Sequence, residues 1–160
     1  KRITVVQAFV GAVSLARPEM TAYASWKVAG KEGEHAHHIH GGEAKATPDV
    51  PSLTLDEVVH EQHISRLDLI KIDTDGYEWE VLRGAEKTIQ TLQPSIIFEI
   101  GQYTISEHGA TFEQIARYFE RLGYGLYTSD DGDCVTVKNW KWYVPKYGTI
   151  DILARSIIKK

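Results

Sequence analysis

Short runs of apolar and β-branched residues recur along the chain and predict strands. They are "ITVVQAFV" (3–10), "LDLIKID" (67–73), "SIIFEI" (95–100), "YGLYTS" (124–129), "CVTVK" (134–138) and "TIDILARS" (149–156), with "MTAYASW" (20–26) as an edge strand. The run over 67–73 is nearly continuous in apolar character, which predicts burial on both faces, as in a parallel sheet.

A second, helical spacing of apolar residues lies between these strands. One helix is predicted from Tyr77 to Leu92, with Val81, Leu82, Ala85 and Ile89 on its apolar face. Two further helices are predicted by capping boxes, in which Ser or Thr precedes Glu or Gln by three positions. These boxes are Thr54 with Glu57 and Thr111 with Gln114.

The order of these elements predicts the fold class. Strands and helices alternate through the middle of the chain, and strands follow at its end. This order predicts an α/β protein with a mostly parallel sheet and an antiparallel edge strand. A length of 160 residues fits a single domain over residues 1–160.

Composition narrows the range of partners. The chain is 42% hydrophobic and 25% charged, with a net charge of -4, so it has no general attraction to nucleic acid or acidic membranes. We see no apolar run long enough to span a bilayer. Cys134 is the single cysteine, which excludes an internal disulfide and fits a reducing compartment. We therefore expect a cytoplasmic protein without nucleic-acid or membrane partners.

Two carboxylates stand where the 67–73 strand gives way to a helix, in "DTDG" (73–76). Asp75 precedes Glu78 by three positions, so Asp75 is predicted to cap the helix. Asp73 ends the strand, and open α/β sheets bind ligands beyond the carboxyl ends of their strands. We therefore predict that Asp73 lines a site.

A calcium-binding loop and a phosphatase active site are two other interpretations of this element. An EF-hand loop starting at Asp73 would have Gly sixth and Glu twelfth, but Glu78 and Gly84 stand there, which excludes it. "IDTDG" also resembles the haloacid dehalogenase-type phosphatases, with Asp73 as nucleophile and Asp75 as acid/base. Asp130, Asp131 and Asp133 would then hold magnesium, although acidic residues are also expected in a turn.

A longer stretch, from Leu67 to Gly101, resembles the FkbM family of S-adenosylmethionine-dependent methyltransferases. The matching positions are Lys71, Ile72 and Asp73; then Asp75, Gly76 and Glu78; then Glu80, Val81, Leu82, Gly84 and Ala85; then Pro94 and Glu99. Weaker matches precede it in "GAVS" (11–14) and "LTLDEVV" (53–59). An ordered set of matching positions is more specific evidence for a family than a single Asp-x-Asp-Gly motif.

The resemblance implies a Rossmann-like class I methyltransferase fold, S-adenosylmethionine as cofactor, and O-methylation of a hydroxyl on a saccharide or secondary metabolite. Asp73 and Glu99 end two strands predicted to be neighbours, so both are catalytic candidates, as base or as the group that orients the hydroxyl. The remaining candidates are Ala12, Asp73 and Asp75 for the cofactor, and Lys71 and Glu78 for the substrate.

Structural roles are alternatives for two of these residues. Glu99 could instead form a salt bridge with Lys71 or accept hydrogen bonds from loop amides. Lys71 lies two positions before Asp73 on the same strand face, so an ion pair between them is also predicted.

The chain departs from the family in the cofactor cradle. Such methyltransferases bind the cofactor on a glycine-rich loop after their first strand, and we find neither this loop nor the acidic residue after the second strand. We therefore expect the sequence to begin at the third strand, and the chain alone to bind the cofactor poorly or not at all, so that it could be inactive by itself. The missing strands would lie in a longer protein, or a homo-oligomer would complete the fold. A non-catalytic remnant that binds a partner is a further alternative.

Two other segments carry candidate chemistry. His35, His37, His38 and His40 have spacing that suits a metal on an extended segment, but we favour a solvated loop and predict no metal site. Trp140, Trp142, Tyr143 and Tyr147 alternate with lysines in "NWKWYVPKY" (139–147). We favour aromatic cover over the sheet there, with stacking on bases or sugar rings as the alternative.

Overall fold

The computed structural model describes residues 3–15, 22–23, 44–45 and 50–157. The chain divides into two compact units, Lys1–Phe9 with Val13–Leu53, and Val10–Ala12 with Thr54–Lys160. Four two-residue strands precede the first helix: β1 (Phe9–Val10), β2 (Ala22–Tyr23), β3 (Ala44–Lys45) and β4 (Ser52–Leu53). β1 pairs with β4, and β2 pairs with β3 in antiparallel orientation.

The predicted strand over residues 3–10 is wrong for most of its length, because only Phe9 and Val10 form a strand. Ile3 and Val5 are 87% and 86% exposed. Their β-branched side chains favour a strand only where a partner strand and a packing layer exist. Most of the strand predicted over residues 20–26, and all four histidines of the His-rich loop, lie outside the described residues.

The second unit alternates helices and strands. Its elements are α1 (Leu55–Glu61), β5 (Leu69–Ile72), α2 (Glu78–Arg83), α3 (Glu86–Leu92), β6 (Ser95–Gly101), α4 (Gln102–Glu107), α5 (Phe112–Arg121), β7 (Tyr124–Thr128), α6 (Trp140–Tyr143) and β8 (Thr149–Ser156). Both predicted capping boxes are present, at Thr54 with Glu57 and at Thr111 with Gln114, so the starts of α1 and α5 are confirmed.

Four of these strands form one sheet in the order β5-β6-β8-β7. β5 and β6 are parallel, and β8 is antiparallel to both β6 and β7. The antiparallel strand therefore lies inside the sheet, which corrects the predicted antiparallel edge strand. β5, β6 and β7 run in the same direction, so their carboxyl ends share one edge. The mixed α/β class is confirmed, and the Rossmann-like assignment stays a prediction.

One face of this sheet carries the hydrophobic core. Its buried strand residues are Ile72, Ile96, Phe98, Ile100, Leu126, Ile152 and Ala154, and they form one cluster with buried residues of α2, α3 and α5. The opposite face is less covered: Ile97 and Leu153 are half-buried, and Leu69 is 53% exposed. The predicted burial of β5 on both faces is therefore wrong, because its alternate residues Leu69 and Lys71 lie on the less covered face.

Two other predicted elements differ from the structure. The helix expected over residues 77–92 is divided into α2 and α3 by Gly84 and Ala85. The strand expected over residues 134–138 is reduced to one bridge between Tyr127 and Cys134. There Asn139 Oδ1 accepts hydrogen bonds from the Thr136 amide and hydroxyl and holds a turn instead. Side chains with their own backbone partners compete in this way with strand pairing.

The start of α3 is capped by a side chain from α1. Asp56 accepts hydrogen bonds from the amides of Lys87 at 3.1 Å and Thr88 at 2.7 Å. We expect Asp56→Ala to lower the free energy of unfolding by about 1–2 kcal/mol, because these amides lose their acceptor. Chemical denaturation with Glu61→Ala, an exposed position at the end of α1, as the control checks this. Equal stability of the two variants would contradict it.

Candidate functional site

The turn after β5 is organised by the carboxylate of Glu78. Its Oε1 accepts hydrogen bonds from the Thr74 amide at 2.9 Å, the Thr74 hydroxyl at 3.0 Å and the Gly76 amide at 3.3 Å. Glu78 is only 5% exposed. The structure therefore shows this residue holding the turn, and its predicted contact with substrate stays a prediction.

The predicted cap by Asp75 is wrong. The N-cap of α2 is Tyr77, which makes no side-chain capping bond. Asp75 has φ of 50°, in the left-handed region, whereas an N-cap residue is typically extended. Asp75 therefore lies in the turn itself, two positions after Asp73.

His108, at the end of α4, packs against this turn and was not found from the sequence. Its ring lies against the ring of Tyr77, with centroids 4.0 Å apart and an interplanar angle of 33°. Gly76 has φ of 107°, and a Cβ there would lie 2.6 Å from His108 Cδ2. Glycine is therefore required both by the backbone conformation and by the imidazole. The resulting contact holds the turn against α4.

Lys71 joins two carboxylates at the edge of the sheet. Its Nζ lies 2.6 Å from Asp151 Oδ1 and 3.6 Å from Asp73 Oδ2. The predicted ion pair with Asp73 is confirmed, although Asp151 is the closer partner. Partial burial lowers the pKa of Lys71, but the hydrogen bond and charge of Asp151 and the charge of Asp73 outweigh it and leave the pKa raised. Asp151 was missed because only strand register brings β8 beside β6.

Glu99 occupies the adjacent strand and is directly opposite Asp151 in the β6–β8 register. Its Oε1 accepts a hydrogen bond of 2.6 Å from the Thr149 hydroxyl, so neither predicted structural role, a salt bridge with Lys71 or bonding to loop amides, is the one observed. Burial raises the pKa of Glu99, and the Thr149 hydrogen bond opposes this without cancelling it. This carboxylate therefore holds a proton more strongly than an ordinary glutamate.

The structure brings most of the predicted site residues into one electrostatic environment. The charges of Asp73, Glu78 and Asp75 each raise the pKa of Glu99 further. Tyr103 in α4 belongs to the same environment: burial raises the pKa of its phenol, and the charges of Glu99 and Asp75 add to this. The parallel pairing of β5 with β6 explains the grouping, because it sets the ends of both strands side by side.

Ala12 is placed elsewhere. It follows Gly11, whose carbonyl oxygen would lie 2.0 Å from a Cβ added to Gly84. Gly84 is the C-cap of α2, whereas Asp73 and Asp75 precede the start of that helix. The predicted contact of Ala12 with the cofactor stays a prediction.

The raised pKa of Glu99 gives a pH-dependent stability. A carboxyl group whose pKa is raised by folding stabilises the fold fully below its ordinary pKa of 4.5, and this contribution is lost as pH rises through the folded value. We expect Glu99→Gln, which does not titrate, to have a higher Tm than the parent protein at pH 7, with the difference shrinking towards pH 4.

Thermal unfolding between pH 4 and pH 7 checks this expectation. Glu113→Gln is the matched control, because Glu113 is an exposed α5 residue paired with Arg117. A Tm difference for Glu99→Gln that does not change with pH would contradict the assigned cause.

A protein-family comparison bears directly on this site. The model of the methyltransferase FkbM domain matches residues 4–126, a range that contains Lys71, Asp73, Asp75, Glu78 and Glu99. The chain belongs to the FkbM methyltransferase family. No curated protein matches this FkbM chain significantly, and neither does any solved structure.

Membership of the FkbM family sets aside the phosphatase interpretation of Asp73 and Asp75. In the part of the chain that the structure describes, no three His, Cys, Asp or Glu side chains are grouped as metal ligands. That includes the acidic turn at Asp130, Asp131 and Asp133. None of the helices within the described ranges is long and apolar enough to cross a membrane.

Proposed function

We propose that this FkbM domain acts in an S-adenosylmethionine-dependent O-methyltransferase whose acceptor is a hydroxyl of a saccharide or secondary metabolite. The observation that carries the proposal is the Glu99 carboxylate, with its raised pKa, at the end of the strand beside Asp73. Methylation of a hydroxyl releases a proton, and a group at the reaction site must accept it.

Glu99 is the better base of the two carboxylates. Its raised pKa strengthens its attraction for a proton, and Thr149 fixes one of its oxygens at 2.6 Å. Asp73 is more exposed and is held 3.6 Å from the Lys71 ammonium. We assign Asp73 to accept a hydrogen bond from the acceptor hydroxyl and orient it, and Glu99 to take its proton.

The chemistry of these side chains fits one end of the cofactor. S-adenosylmethionine supplies, when bound, a methyl group activated by a positively charged sulfonium. The carboxylates around Glu99 form a negative environment that complements this charge, and Asp73 and Asp75 would hold that end. They contribute no feature suited to the adenine.

Methyl transfer itself tests the proposal. Because weak cofactor binding is expected, purified protein would be incubated with an excess of S-adenosylmethionine carrying a ¹³C-labelled methyl group. The acceptors would be a panel of mono- and disaccharides that includes amino sugars. We expect a new O-methyl resonance in the acceptor fraction. Label found only on nitrogen-containing acceptors would contradict the hydroxyl assignment, and transfer in no condition would favour a non-catalytic binding role.

A further inference from the structure

A cavity opens beside the candidate site, at the same edge of the sheet. It has a volume of about 250 Å³ and lies where β7 ends and β8 begins. Its polar lining consists of Thr128, Ser129, Asp130, Asp131, Tyr143 and Asp151. That volume lies just below the range of about 300–1,000 Å³ that is usual for ligand pockets, and it suits a single ring rather than a drug-sized molecule.

Asp151 connects this cavity with the candidate site. It lines the cavity, lies opposite Glu99 in the sheet register and pairs with Lys71 at 2.6 Å. β5, β6 and β7 all end at this edge, where open α/β sheets bind ligands. A molecule with a hydroxyl at Glu99 could therefore extend one ring into the cavity.

The charges around the cavity favour a cation. The described residues include no salt-bridge partner for Asp130 or Asp131, and none of the residues lining the cavity is Lys or Arg. A hydrogen bond from the backbone amide of Asp131 lowers the pKa of Asp130. Asp151 is different, because Lys71 already compensates its charge.

The other lining groups favour a hydroxylated ring. Thr128 and Ser129 bring hydroxyl groups to the cavity, and Tyr143 brings a half-buried aromatic side chain. Aromatic faces attract cations, and carboxylates accept hydrogen bonds from both ammonium and hydroxyl groups.

The cavity also lies outside the part of the chain that matches the family model. Every lining residue follows residue 126, where the match to the FkbM domain ends. Loops that follow the strands of a common scaffold are where specificity is expected to vary.

We propose that this cavity is an acceptor subsite that binds one aminated sugar ring. The inference rests on the proposed function, since it adds a substrate class to the same site. The ammonium group contacts Asp130 and Asp131, and the ring lies against Tyr143. The hydroxyl to be methylated lies towards Glu99.

Titrations followed by ¹⁵N-resolved NMR test the subsite without the methyl donor. The probes are D-glucosamine, D-glucose and D-glucuronate, which share a ring and differ in charge, with ethanolamine as an amine that lacks the ring. We expect glucosamine to bind about fivefold to tenfold more tightly than glucose, in line with one added charge contact. Glucuronate should not bind, and the shifts should centre on residues 128–131 and 151.

Two variants distinguish binding at the subsite from a general electrostatic attraction between the cation and the protein. Asp131→Asn should remove the preference for glucosamine over glucose, whereas Asp68→Asn should leave it unchanged. Asp68 is an exposed aspartate directly before β5, at the opposite edge of the sheet. Unchanged Tm values show that both variants are folded. Equal binding of glucose and glucosamine, equal binding of ethanolamine and glucosamine, or retained preference in Asp131→Asn would overturn the proposal.

The two proposals fail separately. Glucosamine binding at the cavity without methyl transfer to any acceptor would support the subsite and reject the methyltransferase function. Methyl transfer to neutral saccharides with no shifts at residues 128–131 would support the function and reject the subsite.

Discussion

Glu99→Gln is expected to lower the rate of methyl transfer by about 100- to 10,000-fold, the usual contribution of a positioned general base. Gln keeps the size of the side chain and an oxygen that accepts the Thr149 hydrogen bond, but it cannot take a proton. The effect should fall on kcat more than on KM, because the proton moves only in the chemical step. Steady-state kinetics with a labelled methyl donor measures both.

A measurement of stability distinguishes a loss of catalysis from unfolding in this experiment. The same variant is expected to be more stable at pH 7, so an inactive and more stable protein supports the assignment. Thr149→Val adds a second check, since the Thr149 hydrogen bond lowers the pKa of Glu99. Without this hydrogen bond the pKa of Glu99 rises, so the acidic limb of the pH profile of kcat should move to higher pH. Activity of Glu99→Gln within threefold of the parent protein would reject Glu99 as the base.

Gly84→Ala is expected to destabilise the protein by more than about 3 kcal/mol, above the usual range for an added methyl group in a packed core. An ideal Cβ at Gly84 lies 2.0 Å from the Gly11 carbonyl oxygen and 3.0 Å from its carbonyl carbon. Both are backbone atoms, so no side chain can rotate away. Gly84 has φ of -77°, which alanine adopts freely, so the whole cost is steric.

Denaturant unfolding measures this change. Gln90→Ala, at an exposed position of α3, is the control for alanine in the same region. We expect a Tm lower by about 6–12 °C for Gly84→Ala, from the usual relation between stability and Tm at this size. A Tm within 1 °C of the control would show that the segments at Gly11 and Gly84 are not in close contact.

Much of the second unit could be predicted from local pattern alone. α1 and α5 begin at their capping boxes, and β8 has the predicted bounds Thr149–Ser156. These features depend on residues near one another in sequence. The position of β8 between β6 and β7 could not be predicted, because strand order depends on contacts between distant segments.

The candidate site was likewise predictable only where it depends on residues close in sequence or on the ends of neighbouring strands. Asp73 and Glu99 follow from the ends of parallel strands, and the pairing of β5 with β6 places them side by side. Asp151 was missed because it joins the site through register, and His108 because it joins through packing on Gly76. The Asp75 cap failed because Glu78 bonds to Thr74 and Gly76 instead.

The position of β8 also orders events during synthesis. β7 leaves the ribosome before β8, yet its ladder in the described structure is with β8. Until residues 149–156 emerge, β6 has a partner strand on one side only, and β7 exposes unpaired backbone groups on the side that β8 later covers. The nascent chain therefore holds two strand edges without a partner while translation continues, the state in which chaperone capture and aggregation compete.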